Sequence, residues 1–244
     1  YFANKASANF YNGSCAFQLT DNQAQCKTIV ERLELGITAQ QVQNDLEIPG
    51  FRIPFDSSPT NMRYNPGLLV GFRFGYRFNT ANAIMMDVNY ANLRAADKFT
   101  LITDLAPDNG QGTEDIRLFN IIGEEDRLNI ALGYRTAVVI NETTNWYIGA
   151  GGHLASVRLN ENFLEIEGTT YSLWVNFVGS NTFNGPVGNL TATGLGWYGE
   201  TGFEAFFNEK FEANIGVRRS RDRIRMGTLD DKMANWQVFF TVSI

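Results

Sequence analysis

The sequence is poor in the residue types on which most enzymes and metal sites depend. Its 244 residues include one histidine and two cysteines, and the spacing of the cysteines matches no zinc-binding motif. Charged residues make up only 19% of the chain, and the net charge of −6 provides no basic face for nucleic acid. We therefore expect no nucleic-acid partner, no metal ion and no cofactor.

Long apolar runs are also missing. No stretch approaches the roughly 18 apolar residues of a membrane-spanning helix, although 44% of the chain is hydrophobic and 13% is aromatic. This aromatic content is high, and the charged content low, for a soluble domain. The first residues, Tyr1–Phe2–Ala3, lack the basic and apolar regions of a signal peptide, so we expect that any such peptide has been removed.

The two cysteines, Cys15 and Cys26, lie close together in a loop-like stretch. With no partner ligands for zinc nearby, we interpret them as a disulfide in an exported protein, which indicates an oxidising compartment. Closing so short a loop stabilises the folded chain by roughly 2–3 kcal/mol on the chain-entropy estimate.

A period-two alternation of apolar and polar residues dominates the chain after residue 65. In GLLVGFRFGYRF (67–78), Leu68, Val70 and Phe72 begin an apolar face that alternates with glycine and arginine. The same alternation recurs at 84–90, 128–138, 146–154, 195–204, 211–217 and 235–244. Stretches of this kind predict half-buried strands of about 10–13 residues.

The connections between these strands alternate in length. Short turns are predicted at 79–82, 140–145 and 208–210, and long polar loops at 14–65, 95–126, 159–192 and 219–234. Residues 3–13 are predicted to form one further strand. The sequence thus predicts a single all-β domain, residues 1–244, that is an eight-stranded antiparallel up-and-down barrel with long loops on one side. Thr28 with Glu31, and Thr38 with Gln41, match capping boxes and predict two short helices within 14–65.

Alternation alone does not decide which face of a barrel points inward. A soluble barrel would turn its apolar face inward around a ligand, whereas a transmembrane barrel would turn that face toward lipid. The mixed face carries glycine at positions 71, 75, 133, 149, 151, 202 and 216. A narrow eight-stranded interior needs such small residues beside large ones. Long loops opposite short turns, with aromatic residues near the strand ends, also favour the transmembrane arrangement.

The charges on the mixed face balance, which is a further argument for a buried interior. Four basic and four acidic residues occupy it: Arg73, Arg77, Arg135, Arg218, Asp87, Glu200, Glu204 and Glu212. An unpaired charge in a sealed interior is very costly, whereas charges facing water have no reason to cancel. We predict that this network plugs the lumen; the alternative is that it lines a conduit.

A catalytic site is not expected. His153 is the only histidine, and by parity it faces the interior, where we predict a hydrogen-bonded structural role beside the charge network. Ser156 would face the opposite side of the same strand, so the two residues cannot form a nucleophile–base pair.

The stretch MRYNPGLLVGFRFGYRFNTANAIMMDVNYANL (62–93) resembles the second and third strands of small porin-like outer-membrane barrels of Bacteroidota, which are distantly similar to the OmpA/OmpX type. The resemblance covers the strands and not the loops. It implies a Gram-negative outer membrane, with periplasmic termini and extracellular long loops. The last ten residues, NWQVFFTVSI, are similar to the C-terminal signal of such barrels, with Ile244 where an aromatic residue is usual.

Two groups of loop residues are candidates for binding. Four arginines follow one another at alternate positions: Arg219, Arg221, Arg223 and Arg225. They suit the phosphates of outer-membrane lipids, including lipopolysaccharide; alternatively, they pair with acidic residues of 95–126. Four apolar residues lie on an irregular part of the first loop, where they either dock with a partner or cap the barrel mouth: Ile48, Phe51, Ile53 and Phe55.

The expected function is non-enzymatic. The protein would be a structural or interaction module, either an accessory subunit that binds other outer-membrane proteins or a surface-binding protein. The alternative is a narrow channel for small solutes or hydrophobic compounds.

Overall fold

In the computed structural model, the described residues are 1–3, 8–15, 24–34, 36–104, 115–178, 181–184, 190–207, 211–226 and 229–243. They are predominantly antiparallel β-strand, as the sequence predicted. The elements are a 3-10 turn (Asn9–Tyr11), β1 (Ala24–Cys26), α1 (Ile29–Leu33), α2 (Gly36–Leu46), β2 (Gly50–Arg52), β3 (Arg63–Tyr64), β4 (Leu69–Arg77), β5 (Asn82–Asp104), β6 (Asp115–Asn141), β7 (Thr144–Ile166), β8 (Thr169–Ser172), β9 (Trp174–Val178), β10 (Asn181–Asn184), β11 (Leu190–Phe206), β12 (Glu212–Met226) and β13 (Leu229–Ser243).

Seven long strands of the described residues form one antiparallel sheet. Their order is β4–β5–β6–β7–β11–β12–β13, and the short strands β2, β3 and β8 pair with the extended ends of β5 and β7. β1, β9 and β10 form a separate three-stranded sheet. The turns predicted at 79–82 and 140–145 are present, because β5 begins at Asn82 and β7 at Thr144. The turn predicted at 208–210 lies outside the described residues.

β5, β6 and β7 are longer than the sequence predicted, at 23, 27 and 23 residues. They occupy most of the described part of 95–126 and the first residues of 159–192, and β12 and β13 occupy most of 219–234. The prediction of polar loops in these segments is wrong. Partway along β5 and β7, the apolar side chains move to the opposite face of the strand. An alternation of apolar residues on one face therefore predicts that each of these strands ends earlier than it does.

The sheet curls so that strands far apart in its order face each other. β4 and β11 are separated by three strands, which would place them about 19 Å apart in a flat sheet. Arg73 Nη2 on β4 nevertheless lies 3.1 Å from Glu200 Oε2 on β11. The ladder itself is not closed, because the described residues of β13 and β4 do not pair with each other.

The first two residues of the chain lie between these two edge strands. Phe2 exchanges backbone hydrogen bonds of 2.8 and 3.0 Å with Trp236 of β13, and the N–H of Gly67 donates to the carbonyl of Tyr1 at 3.0 Å. The strand predicted at 3–13 is wrong where it is described, because Asn9–Tyr11 form a 3-10 turn. Phe10 and Tyr11 are both buried, and a strand would place such neighbours on opposite faces.

The N-terminal helices pack on the extended parts of β5, β6 and β7 and form a unit that we call the cap. It comprises the described residues of 8–64, the short strands β8 to β10, and one segment of each of three long strands. These segments are β5 beyond Ala91, β6 before Arg127 and β7 beyond Ala155. Its core contains Phe10, Tyr11, Ile29, Leu33, Val42, Leu46, Phe99, Leu101, Phe119, Ile121, Leu164, Ile166 and Trp174. The rest of the large sheet is the curled region.

The capping box that was predicted to begin the first helix is confirmed. Thr28 Oγ1 accepts the Glu31 N–H at 3.1 Å, and Glu31 accepts the Thr28 N–H at 2.9 Å, which also lowers the pKa of Glu31. The second predicted box is wrong, since α2 begins at Gly36 and Thr38 lies within it. The Thr38 hydroxyl instead accepts a hydrogen bond of 3.0 Å from Arg32 Nη1. No helix in the described part of the chain is long and apolar enough to cross a membrane.

Candidate functional site

The outer face of the curled region is an apolar surface that the described chain does not cover. Large side chains stand exposed at alternate positions of every strand; Phe72, for example, is 74% exposed. The others include Val70, Phe74, Tyr76, Ile84, Met86, Tyr90, Leu132, Tyr134, Val138, Trp146, Ile148, Leu195, Trp197, Phe203, Ile215, Val217, Trp236, Val238, Phe240 and Val242. A continuous apolar surface of this extent is far outside the norm for a soluble monomer. We call it the apolar belt.

Both faces of β5 and β7 change polarity where the curled region meets the cap. On β5 the outward residues pass from Met86 and Tyr90 to Arg94 and Lys98, while buried inward residues pass from Asp87 to apolar side chains such as Leu93 and Phe99. β7 repeats the change. Its outward residues pass from Trp146, Ile148 and Leu154 to Arg158 and Glu161, and its inward ones from Asn145 and His153 to Val157, Leu159 and Leu164. The apolar belt and the polar interior therefore end together.

The interior of the curled region contains a neutral group of four charges. Arg73 and Asp87 are cross-strand neighbours on β4 and β5, and Glu200 and Arg218 are cross-strand neighbours on β11 and β12. Arg73 Nε lies 2.6 Å from Asp87 Oδ1, and Arg218 Nε donates to Glu200 at 3.0 Å. Arg218 also pairs with Asp87, so the two pairs join across the interior. All four side chains are less than 10% exposed.

A second neutral group lies toward the turn ends of the same strands. Arg77 Nη2 pairs with Glu212 at 2.6 Å and with Glu204 at 3.4 Å. Arg135 also pairs with Glu204, and its Nη1 donates to Asn214 at 3.2 Å. Arg135 and Glu204 are buried and pair with each other, as buried charges require, whereas the Arg77 side chain is 37% exposed.

Aromatic rings fill the space beside the guanidinium groups. Arg135 lies 4.2 Å from the ring centroid of Tyr147, Arg218 lies 4.1 Å from that of Tyr198, and Arg73 lies 4.6 Å from that of Phe239. A cavity of about 40 Å³ remains beside this network, lined by residues of β4, β5, β12 and β13. It has room for a few water molecules only.

His153 belongs to a separate buried cluster. Its Nδ1 lies 2.5 Å from Asp222 Oδ1, and the other carboxylate oxygen of Asp222 accepts from Asn235 at 2.9 Å and from Ser220 at 3.5 Å. The Ser220 hydroxyl therefore points to the carboxylate and not to the imidazole. The contact with Asp222 orients the His153 ring.

The structure adds a buried ion pair that the sequence analysis missed. Arg127 Nε lies 2.5 Å from Glu125 Oε1 on β6, and both side chains are essentially inaccessible. Glu125 Oε2 accepts the hydroxyls of Tyr11 at 2.7 Å and Tyr64 at 2.8 Å, while Arg127 donates to the Tyr1 hydroxyl at 3.1 Å. The sequence contains a signal for this pair, because positions 125 and 127 share the parity of the interior residue Arg135. The signal was missed because 95–126 had been predicted as a loop. The cluster joins the cap to the curled region.

The four arginines at alternate positions lie on the outward face of β12, and all four are exposed. They follow Ile215 and Val217 of the apolar belt, in the half of β12 that ends at Met226. The guanidinium of Arg219 stacks 5.2 Å from the centroid of the Trp236 ring. Among the described acidic residues of 95–126, Glu124 lies 3.7 Å from Arg94 and Asp115 lies 2.9 Å from Arg117.

A groove on the outer face leads to the first of these arginines. It has a volume of about 630 Å³, and its floor is formed by small residues of β7 and β11 such as Ala150, Gly199 and Thr201. Tyr134, Ile148, Val217, Arg219 and Trp236 form its walls and ends. Arg221 and Arg223 border a neighbouring pocket of about 340 Å³ beside Leu195 and Trp197.

The apolar residues predicted for docking do not form one exposed surface. Ile48 and Ile53 are buried in the core of the cap, and Phe51 packs against that core. Both side chains hold the segment on the sheet, which favours the alternative that they pack within the chain. Phe55 is fully exposed, as is most of Ile37.

The predicted disulfide between Cys15 and Cys26 is present, and it ties the residues after the 3-10 turn to β1. The described residues contain no group of three or more His, Cys, Asp or Glu side chains that could hold a metal ion. Comparison of the chain with protein-family models, with curated proteins and with solved structures yields no significant match.

Proposed function

We propose that the chain is an integral β-barrel of a bacterial outer membrane, related in type to the small porin-like barrels. The observation that carries the proposal is the joint change of polarity on both faces of β5 and β7. An apolar exterior around a charged interior suits a sheet in lipid, and a polar exterior around an apolar core suits a unit in water. The boundary at Ala91 would then mark the edge of the bilayer.

Closure of the sheet is part of the proposal. An open edge leaves backbone N–H and C=O groups without partners in lipid, at a cost of several kcal/mol each, so spanning sheets close. Support comes from the curl that brings Arg73 to Glu200, and from the backbone bonds of Phe2 and Tyr1 to the two edge strands. Residues 1–2 and their neighbours would complete the ring between β13 and β4 as its eighth member.

The protein would work as an interaction module rather than as a pore or an enzyme. The two neutral charge groups and the rings against them fill the interior, so the barrel would be a rigid support for the cap. The cap would face the cell exterior and the short turns the periplasm. Exposed Phe55 and Ile37 offer apolar anchors for another outer-membrane protein.

Insertion is tested by refolding the protein with phospholipid vesicles. We expect it to float with the vesicles in a density gradient and to migrate differently in gel electrophoresis before and after heating. Recovery of folded, lipid-free monomer at the bottom of the gradient would show that the apolar belt is covered in another way and would reject the barrel.

Sealing is tested by recording current across planar bilayers. The wild type should show no steady openings, and Arg218→Ala should show openings or noise, because it removes a cation that bridges β5 and β11. Arg94→Ala is the control, since Arg94 lies in the cap. Steady wild-type openings would favour the alternative of a narrow channel.

Partner binding is tested with a photo-crosslinking residue at position 55 in outer membranes. A discrete adduct is expected at Phe55 and not at the exposed turn residue Glu167, which serves as the control site. Identical adduct patterns at both sites would contradict docking through Phe55.

A further inference from the structure

We infer that the outer face of β11, β12 and β13 holds one phosphate-bearing lipid, with its phosphate on Arg219 and Arg221 and an acyl chain in the groove beside them. The inference rests on the proposed membrane location and names a ligand for that surface. Two features lead to it: an apolar groove that Arg219 borders, and a second guanidinium, that of Arg221, at the next outward position of the same strand.

The groove is built into the sheet by small residues. Ala150 of β7 pairs with Gly199 of β11, and Gly199 pairs with Arg219 of β12. Larger neighbours on both sides, including Tyr134 and Trp236, leave a depression of about 630 Å³. That volume lies within the range of about 300–1,000 Å³ that is usual for ligand sites.

The charges are placed for a phosphate. Arg219 and Arg221 are successive outward residues of β12, so their Cα atoms lie about 7 Å apart. No carboxylate of the described residues pairs with either side chain. Two like charges on an exposed strand repel each other, and a bound anion removes that repulsion. Guanidinium groups match phosphate oxygens in geometry and form bidentate, charge-assisted hydrogen bonds.

The level on the strand favours a lipid over a free anion. Ile215 and Val217 continue the apolar belt, and the arginines begin immediately after them. If the belt lies in hydrocarbon, Arg219 and Arg221 lie at the depth of lipid headgroups. Trp236, on whose ring Arg219 stacks, has the amphipathic character typical of that interface. From Arg219 the groove crosses Gly199 and Ala150 toward Tyr134 on the neighbouring strands, and an acyl chain would lie there.

The experiment measures lipids retained by the folded protein in nanodiscs of phosphatidylcholine that contain phosphatidic acid. Native mass spectrometry of the released complex should show one phosphatidic acid per chain. In the double variant Arg219→Gln/Arg221→Gln, the apparent affinity for phosphatidic acid should fall about 10- to 100-fold, because both cations that face the phosphate are lost. This loss corresponds to about 1.4–2.8 kcal/mol. Arg94→Gln, which removes an outward arginine of the cap, should bind as the wild type does.

A second pair of variants tests the groove. A Cβ at Gly199 meets only one backbone oxygen, at 3.9 Å, and at Gly152 it meets nothing within 4 Å, so neither backbone position obstructs the first atom of a leucine side chain. Gly199→Leu fills the groove and should weaken binding of phosphatidic acid about tenfold. Gly152→Leu adds the same bulk elsewhere on β7 and should leave binding unchanged. Diacylglycerol, which lacks the phosphate, should not be retained.

The results separate this inference from the proposed membrane location. Wild-type affinity in the double glutamine variant would overturn the lipid site even if the protein inserts normally. Competition by inorganic phosphate, or an unaffected Gly199→Leu, would overturn the acyl-chain part. A dimer that is lost in the double variant would assign the surface to a second copy of the chain. Failure to float with vesicles would reject the barrel, and this site with it.

Discussion

At the scale of single residues, the interior charges are stable because each has a partner at a fixed position. Burying a charge costs several kcal/mol, and only an opposite charge with good hydrogen-bond geometry offsets that cost. Arg73 and Asp87 meet as cross-strand neighbours, as do Glu200 and Arg218. The pairs therefore form whenever the strands are in register, and a register shift would break both.

Replacing Arg218 by alanine should destabilise the folded protein by about 3–5 kcal/mol, because it leaves Asp87 and Glu200 buried with one cation between them. Equilibrium unfolding by urea in lipid vesicles gives the difference in free energy of unfolding. The control is Arg94→Ala, whose partially exposed pair with Glu124 should be worth about 1 kcal/mol or less. Equal losses in the two variants would mean that the interior is hydrated rather than sealed.

Glycine at position 123 is required by the ring of Tyr11. A Cβ built on Gly123 would lie 2.1 Å from that ring, so Gly123→Ala must displace Tyr11 from its hydrogen bond with Glu125. We expect a loss of about 1–3 kcal/mol in the free energy of unfolding. Gly152→Ala meets no atom within 4 Å and should be neutral or stabilising by up to about 1 kcal/mol. A neutral Gly123→Ala would contradict the packing of the 3-10 turn on β6.

At the scale of elements, the sequence predicted best where polarity alternates without a change of face. β4 and the turn to Asn82 were predicted because every second residue up to Phe78 is apolar. The part of β5 beyond Ala91 was not predicted as strand, because its apolar side chains lie on the other face. The 3-10 turn and the burial of Ile48 depend on contacts with distant strands, which local alternation does not contain.

The candidate site was likewise predictable only where local alternation contains the information. Parity placed four charged residues on one face: Arg73, Asp87, Glu200 and Arg218. That these four form one group depends on the curl of the sheet, which parity does not contain. The pair Glu125 and Arg127 was missed for the reason that β6 was predicted too short. The groove beside Arg219 was missed because it depends on small residues of two strands, Ala150 and Gly199, meeting side by side.

Tyr171 connects α2 to β8, and its hydroxyl donates to Asp45 at 2.8 Å. Burial, and then the hydrogen bond to Asp45, raise the pKa of Tyr171 above its ordinary value. The protonated ring therefore favours the folded state. This contribution is complete below the unfolded pKa of about 10 and is lost as the pH rises toward the folded pKa.

Tyr171→Phe should consequently cost about 1.5–3 kcal/mol at pH 8, since a hydrogen bond to a charged group is lost. The difference between the wild type and the variant should shrink as the pH rises above 10. Urea unfolding between pH 8 and pH 11 measures this. A difference that grows with pH would mean that Tyr171 ionises more readily in the folded chain.

At the scale of the whole molecule, one sheet serves two environments. Its curled region carries charge inside and apolar residues outside, and β5 and β7 have the opposite arrangement within the cap. Continuous strands through the boundary hold both parts in one register, and the cluster around Glu125 and Arg127 ties the N-terminal residues to that level. The bilayer that we propose around the curled region would supply the apolar solvent that its outer face needs.

The four tryptophans offer a direct test of this arrangement. Trp146, Trp197 and Trp236 are exposed on the apolar belt, whereas Trp174 is buried in the core of the cap. We expect lipids brominated on their acyl chains to quench the fluorescence of the first three strongly and that of Trp174 weakly, because bromine quenches only at close range. Variants that keep one tryptophan each, with phenylalanine at the other three positions, separate the signals, and unbrominated vesicles give the reference intensity. Quenching of Trp174 equal to that of Trp236 would place the cap in the bilayer as well, and unquenched Trp197 and Trp236 would exclude lipid from the belt.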